Sequence, residues 1–135
     1  IASARLWPKS KVLALDLDLD AVVTTRENIK LNQVKRQIDC DRSNGYPKKS
    51  PNRKTKFDII VANILAGPLF DMAYDSSRWV NKGGFVILSG LLIHQERYVL
   101  AAFRSCGLKL FKRQHISGWS TIILRKSSIR KSAML

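Results

Sequence analysis

Apolar residues in this chain fall into short continuous runs separated by stretches with helical spacing. Val12, Leu13, Ala14 and Leu15 form the first run, predicting a strand over residues 11–16. Ile59, Ile60 and Val61 form a β-branched run, bounded by polar and turn residues, that reads as a strand buried on both faces in a parallel sheet. A third run predicts a strand over residues 85–89. Between them, Leu19, Val22, Val23 and Ile29 share one helical face, with Asp18 as N-cap and Asp20 in the first turn. Residues 69–80 read as a helix that offers Leu69, Phe70, Ala73 and Val80 to the core, with Pro68 at its first position and Lys82-Gly83-Gly84 ending it. Gly90 turns the chain into a helix over residues 91–106, with Ile93, Tyr98, Val99, Ala102 and Phe103 as core positions and Gly107 as its cap. Residues 1–6 read as the end of a helix stopped at Pro8, and residues 34–40 as a weak strand. Residues 108–116 and 119–125 alternate and form an antiparallel hairpin about Ser117-Gly118. Trp7, Trp79 and Trp119 are read as packing residues. Strand-helix alternation predicts a parallel sheet with helices on both faces, closed by the hairpin.

Composition narrows this picture. The 135 residues suffice for one domain. The net charge is +14, from 24 Lys+Arg against 10 Asp+Glu, which suggests a polyanion nearby. Much of it lies in residues 35–56, where Lys35, Arg36, Arg42, Lys48, Lys49, Arg53, Lys54 and Lys56 outnumber Asp39 and Asp41. Asn44-Gly45, Pro47 and Pro51 mark residues 42–56 as a solvated basic loop first and a phosphate-contacting arm second. Residues 127–135 read as a disordered basic tail. All apolar runs are strand-sized, too short to span a membrane. The sequence starts at Ile1 without a leader, so it is expected to begin inside something longer or after processing. Cys40 and Cys106 lack metal-ligand spacing and read as reduced thiols of a cytoplasmic protein first and as a disulfide second. His94 and His115 have no ligand-spaced neighbours, so no metal is expected.

Two positions could carry chemistry. Asp16 ends the first strand at the edge where α/β sheets bind ligands. It either hydrogen-bonds both ribose hydroxyls of a nucleotide cofactor or merely caps the following loop. Asn63 stands at the carboxyl end of the central strand, before Ile64-Leu65-Ala66-Gly67-Pro68.

The stretches Leu13-Ala-Leu-Asp-Leu-Asp, Arg26-Glu-Asn-Ile-Lys-Leu-Asn and Val61-Ala-Asn-Ile-Leu-Ala-Gly-Pro-Leu resemble the bacterial ribosomal protein L11 methyltransferases. Ile87-Leu-Ser-Gly-Leu-Leu and Gly118-Trp-Ser-Thr-Ile-Ile-Leu extend the likeness over residues 11–126. The resemblance implies an α/β fold with the Rossmann-like sheet of class I methyltransferases and a C-terminal antiparallel hairpin, within a partial catalytic domain spanning residues 1–126. It implies a protein N-methyltransferase that uses S-adenosyl-L-methionine to modify lysine or N-terminal amino groups of a large-subunit ribosomal protein. Carried over by position, Asp16 would bind the cofactor's ribose. Asn63, with the Ile64 and Leu65 backbone, would line the cofactor and amine site, opening onto a cleft shared with Asp16. Base-modifying relatives usually carry Asn-Pro-Pro and an aromatic that stacks on a flipped base. Ala66 stands at the aromatic's position here, favouring a protein amine.

The family's strand order would be third, second, first, fourth, fifth, seventh, sixth. This chain is expected to lack the first, central strand and the Gly-rich loop after it, since no G-x-G occurs anywhere in it. Cofactor binding by these residues alone is therefore expected to be weak or absent. Two competing readings are an NAD-type nucleotide-binding domain, which Asp16 would serve equally, and a catalytically dead remnant that binds RNA through Lys48, Lys49, Arg53, Lys54 and Lys56.

Overall fold

The first apolar run is β1 (Val12–Asp16), and the helical stripe after it is α2 (Leu19–Leu31), preceded by a short α1 (Ala2–Leu6). These belong to a computed structural model that describes residues 1–47 and 55–128. The chain divides into two units, residues 1–48 and 49–135. In the first unit Asp18 caps α2 as its sequence predicts, its carboxylate accepting the Asp20 N–H at 2.9 Å. The helix stops where Gln33 takes a left-handed conformation (φ 57°), and the Asn32 side chain donates back to the Asn28 carbonyl. The chain then returns as β2 (Ile38–Arg42), parallel to β1, with Val12 opposite Ile38 and Asp16 opposite Arg42. Ala4, Ile29, Val34 and Ile38 form a small core beneath Val12, Ala14 and Cys40.

The second unit builds one four-stranded sheet. Its elements are β3 (Phe57–Asn63), α3 (Ala66–Asp71), α4 (Ala73–Trp79), β4 (Val80–Leu92), α5 (Ile93–Ser105), β5 (Leu108–Ile116) and β6 (Trp119–Lys126). The strand order is β3-β4-β6-β5; β3 and β4 run parallel, while β6 is antiparallel to both neighbours. Ser117 (φ 48°) and Gly118 (φ 84°) make the turn of the expected hairpin, where two left-handed residues match the strand twist. Val86, Leu88, Ile122 and Leu124 from the sheet meet Leu69, Val99, Leu100 and Phe103 from the helices in the main core. Deleting the first strand from the expected order leaves third-second and fourth-fifth-seventh-sixth. Those are the pairings of the two sheets, β1-β2 and β3-β4-β6-β5.

Several expectations need correcting. β3 is not buried on both faces: Ile60 and Ala62 pack on the core, whereas Val61 is 63% exposed and Ile59 38%. Within this unit the helices cover one face of the sheet, and a β-branched run cannot reveal how many layers flank it. The helix expected over residues 69–80 is two short ones broken at Met72, and it begins at Ala66, so Pro68 is the third helical residue. Proline costs nothing there either, because the first four N–H groups of a helix have no intrahelical partner. The segment Lys82-Gly83-Gly84 lies inside β4 rather than ending a helix, and α5 starts at Ile93. Leu19, Val23, Ile93 and Tyr98 are exposed; Glu96 and Leu100 take inward positions on α5 instead. The weak strand starts at Ile38, because a turn occupies residues 35–37. Trp79 is buried and stacks on Phe57 as expected of a packing residue, but Trp7 and Trp119 are half exposed. Both cysteines are free and partly buried. Residues 48–54 of the basic loop and 129–135 of the tail lie outside the described residues.

Candidate active site

Asn63 is the last residue of β3, and pairs across the parallel ladder with Ser89 of β4. Directly beyond it the chain leaves the sheet through Ile64 and Leu65 to enter α3. The strand ends open into a cleft of about 520 Å3 lined by Asn63, Ile64, Leu65, Ser89, Gly90 and Trp119. That volume suits a small-molecule or side-chain site. The cleft brings together all three residues expected of the acceptor loop. Its walls are mostly apolar, with Leu65 and Trp119 well exposed. Asn63 contributes an amide that donates and accepts but does not ionise. Such a site can desolvate and orient a small polar group; among its lining residues there is no strong acid, base or thiol.

Trp119, Ser89 and Gly90 were missed as site residues. The hairpin register would have found Trp119: it starts β6 opposite Leu92, at the end of β4 that borders the cleft. A cluster that sequence reasoning also missed fixes that end of the hairpin. Glu96 of α5 is buried, and its Oε2 accepts hydrogen bonds from Ser120 Oγ at 2.8 Å and His115 Nε2 at 2.7 Å. Arg113 lies 3.4 Å from the other carboxylate oxygen. Burial raises the Glu96 pKa, but the bonds from His115 and Ser120 and the charge of Arg113 outweigh it and hold the carboxyl below the usual range. Ser, His and Glu together could suggest a hydrolase triad. Here the hydroxyl donates to the carboxylate rather than to the imidazole, and Ser120 is fully buried, so the set lacks both the Ser–His contact of a triad and a nucleophile that a substrate can reach.

Asp16 belongs to the first unit. It is exposed at the carboxyl end of β1, and its Oδ1 accepts the Asp18 N–H at 3.0 Å. The loop-capping reading of this residue is thus observed. That bond occupies one carboxylate oxygen and is compatible with a ligand hydroxyl at the other. Among the described residues no group of three His, Cys, Asp or Glu could hold a metal.

A model of the ribosomal protein L11 methyltransferase (PrmA) family matches residues 1–127. The chain belongs to this family. A ribosomal protein L11 methyltransferase from Bradyrhizobium diazoefficiens is 40% identical over 126 residues, which are 93% of this chain and 42% of that protein. One from Brucella suis is 40% identical over 125 residues, with 93% and 44% covered. The chain therefore spans less than half the length of these family members. The crystal structure of a ribosomal protein L11 methylase from Lactobacillus delbrueckii subsp. bulgaricus superposes with a TM-score of 0.77 at 30% identity, covering 93% of this chain and 62% of that one. A methyltransferase from Pyrococcus furiosus (TM-score 0.73, 20% identity) and the [4+2]-cyclase SpnF (0.72, 11%) share the fold alone. Membership of an enzyme family with a class I methyltransferase sheet sets aside the plain dinucleotide-binding alternative, as does the antiparallel β6 between β4 and β5.

Proposed function

We propose that this chain carries the acceptor side of an S-adenosyl-L-methionine-dependent N-methyltransferase acting on amino groups of a large-subunit ribosomal protein. The observation that carries the reading is Asn63 at the carboxyl end of β3, opening into the Ser89–Gly90–Trp119 cleft. When bound, the cofactor supplies an electrophilic methyl group on a sulfonium. The acceptor amine must arrive with a free lone pair, and a lysine is otherwise protonated up to a pKa of roughly 10.4. The apolar cleft walls favour the neutral amine by desolvation. The Asn63 amide oxygen and strand-end carbonyls accept its remaining N–H bonds and so aim the lone pair. Holding two reactants in line removes roughly 7–11 kcal/mol of such a barrier at best. No strong base is required if solvent takes the proton first.

Asp16, exposed at the end of β1, suits the cofactor's ribose through the oxygen that Asp18 does not occupy. The residues present fit the cofactor only in part. No G-x-G segment occurs to bring backbone N–H groups to its amino-acid end, so these residues alone bind it weakly. Titration calorimetry with S-adenosylmethionine checks this, and micromolar binding would contradict it. The decisive test of function mixes the chain with ribosomal protein L11 and methyl-labelled cofactor. With cofactor raised to offset its weak binding, label is expected only on protein amines, cut about a hundredfold or more by Asn63→Ala. Label on RNA, label unaffected by that substitution, or none at any protein concentration sinks the reading for these residues.

The charge of +14 supports a non-specific RNA contact through Lys48, Lys49, Arg53, Lys54 and Lys56, of which only Lys56 is among the described residues. A steep loss of RNA affinity with salt is its signature. No helix among the described residues is long and apolar enough to cross a membrane, and a ribosomal substrate supports a cytoplasmic site of action.

A further inference from the structure

The residue after Ser89 is Gly90, in a left-handed conformation (φ 78°). Here the ladder between β4 and β6 loses register, between Leu88 and Leu91. The backbone runs hard against the acceptor loop. A β-carbon at position 90 would lie 2.8 Å from the Ile64 carbonyl oxygen, 2.9 Å from Asn63 Oδ1 and 3.3 Å from the Ile64 nitrogen. Real β-carbons essentially never approach that closely. Gly107 and Gly118 have similar φ values, but a β-carbon there would meet nothing within 4 Å. The need at Gly90 is thus for space as well as for backbone freedom, and the space is taken by the amide oxygen and peptide of the acceptor loop.

We propose that Gly90 is the positioning residue of the Asn63 amide, its bare α-carbon setting where Oδ1 stands in the cleft. The proposal rests on the reading of Asn63 as the group that accepts an amine N–H. Any side chain at 90 pushes either Oδ1 or the Ile64 peptide aside by several tenths of an ångström. Reactions that depend on alignment feel such a displacement strongly, about a hundredfold in rate for 1 Å.

The test compares Gly90→Ala with Gly107→Ala, which carries the backbone strain without the contact. In the 135-residue chain, the Asn63 side-chain amide resonance, assigned by its loss in Asn63→Ala, is expected to move in Gly90→Ala and to stay in Gly107→Ala. In the methyl-transfer assay Gly90→Ala lowers kcat about tenfold or more and leaves KM for ribosomal protein L11 within about threefold. An unmoved Asn63 resonance, or equal movement in both variants, overturns the proposal. So does a loss confined to KM. Should Gly90→Ala not fold, Asn63→Gly combined with Gly90→Ala must regain a cooperative urea transition; failure to do so puts the constraint on the Ile64 backbone and overturns the assignment. The two readings fail separately: undiminished transfer by Asn63→Ala removes the amine role, whereas the resonance reports Gly90's hold on the amide regardless of any amine.

Discussion

Replacing Glu96 with leucine takes away the acceptor on which Ser120, His115 and Arg113 converge. Ser120 is fully buried, so its hydroxyl would be left without that partner, at a cost of about 1–3 kcal/mol. His115 and Arg113 have side chains 38% and 49% exposed, so each of their pairings adds only about 0–1 kcal/mol. Relief from burying a carboxylate offsets part of the sum, leaving a net loss of about 2 kcal/mol. With a urea dependence of about 1–3 kcal/mol per molar, the midpoint falls by about 1 M. Emission of Trp79, buried against Phe57 in the same unit, follows the transition. Adding Ser120→Ala removes the stranded hydroxyl and should restore at least half of the loss. Acid supplies a second check. The folded carboxyl titrates below its ordinary value of 4.5, so its contribution is complete above that pH and disappears as pH falls through the folded value. The stability difference between wild type and Glu96→Gln should therefore shrink as pH falls below 4.5. Glu96→Leu within about 0.5 kcal/mol of wild type, or a double variant weaker than the single one, would refute this account of the hairpin's anchorage.

Other outcomes follow from single contacts. Asp18→Ala removes the cap of α2 and should cost the first unit about 1 kcal/mol, seen as an earlier loss of helical circular dichroism. Gly84→Ala would place a β-carbon 2.8 Å from the Asp58 carbonyl and 2.9 Å from Val80 Cγ2, and should lower the urea midpoint of the second unit steeply. Gly67→Ala, in α3, meets no atom within 4 Å beyond its chain neighbours, and should change stability by no more than about 1 kcal/mol, its gain in helix propensity being opposed by crowding against the following Pro68.

The strands were legible because short apolar runs with turn residues around them announce themselves, as Val12 to Leu15, Ile59 to Val61 and Phe85 to Leu88 do. Asp18 was legible as a cap for a local reason, its carboxylate reaching a nitrogen two residues on. What escaped depends on distant partners. Whether Val61 meets a second layer is decided by what lies over the sheet, and no property of residues 59–61 records that. Glu96 shares the face of Val99, Leu100 and Phe103 by its spacing, but nothing local says that a carboxylate can be kept there; its burial rests on three donors that arrive from β5 and β6. Among the residues of the cleft, Asn63 stood out through its neighbours in sequence. Gly90 and Trp119 join it only through the pairing of β4 with β3 and β6.

The outer edge of β3, where no second described strand pairs, bears on how the protein behaves in concentrated solution. Among the described residues β3 has one strand neighbour, β4, and along it Ile59 and Val61 are exposed with Asp58 as the only charge. Unpaired amides beside β-branched side chains template the addition of another strand. What keeps copies apart is long-range repulsion between molecules of charge +14, which acts over about 10 Å at 0.1 M salt and only about 3 Å at 1 M. High salt is therefore expected to drive the protein toward filaments or precipitate, and a buffer of low ionic strength to keep it dispersed.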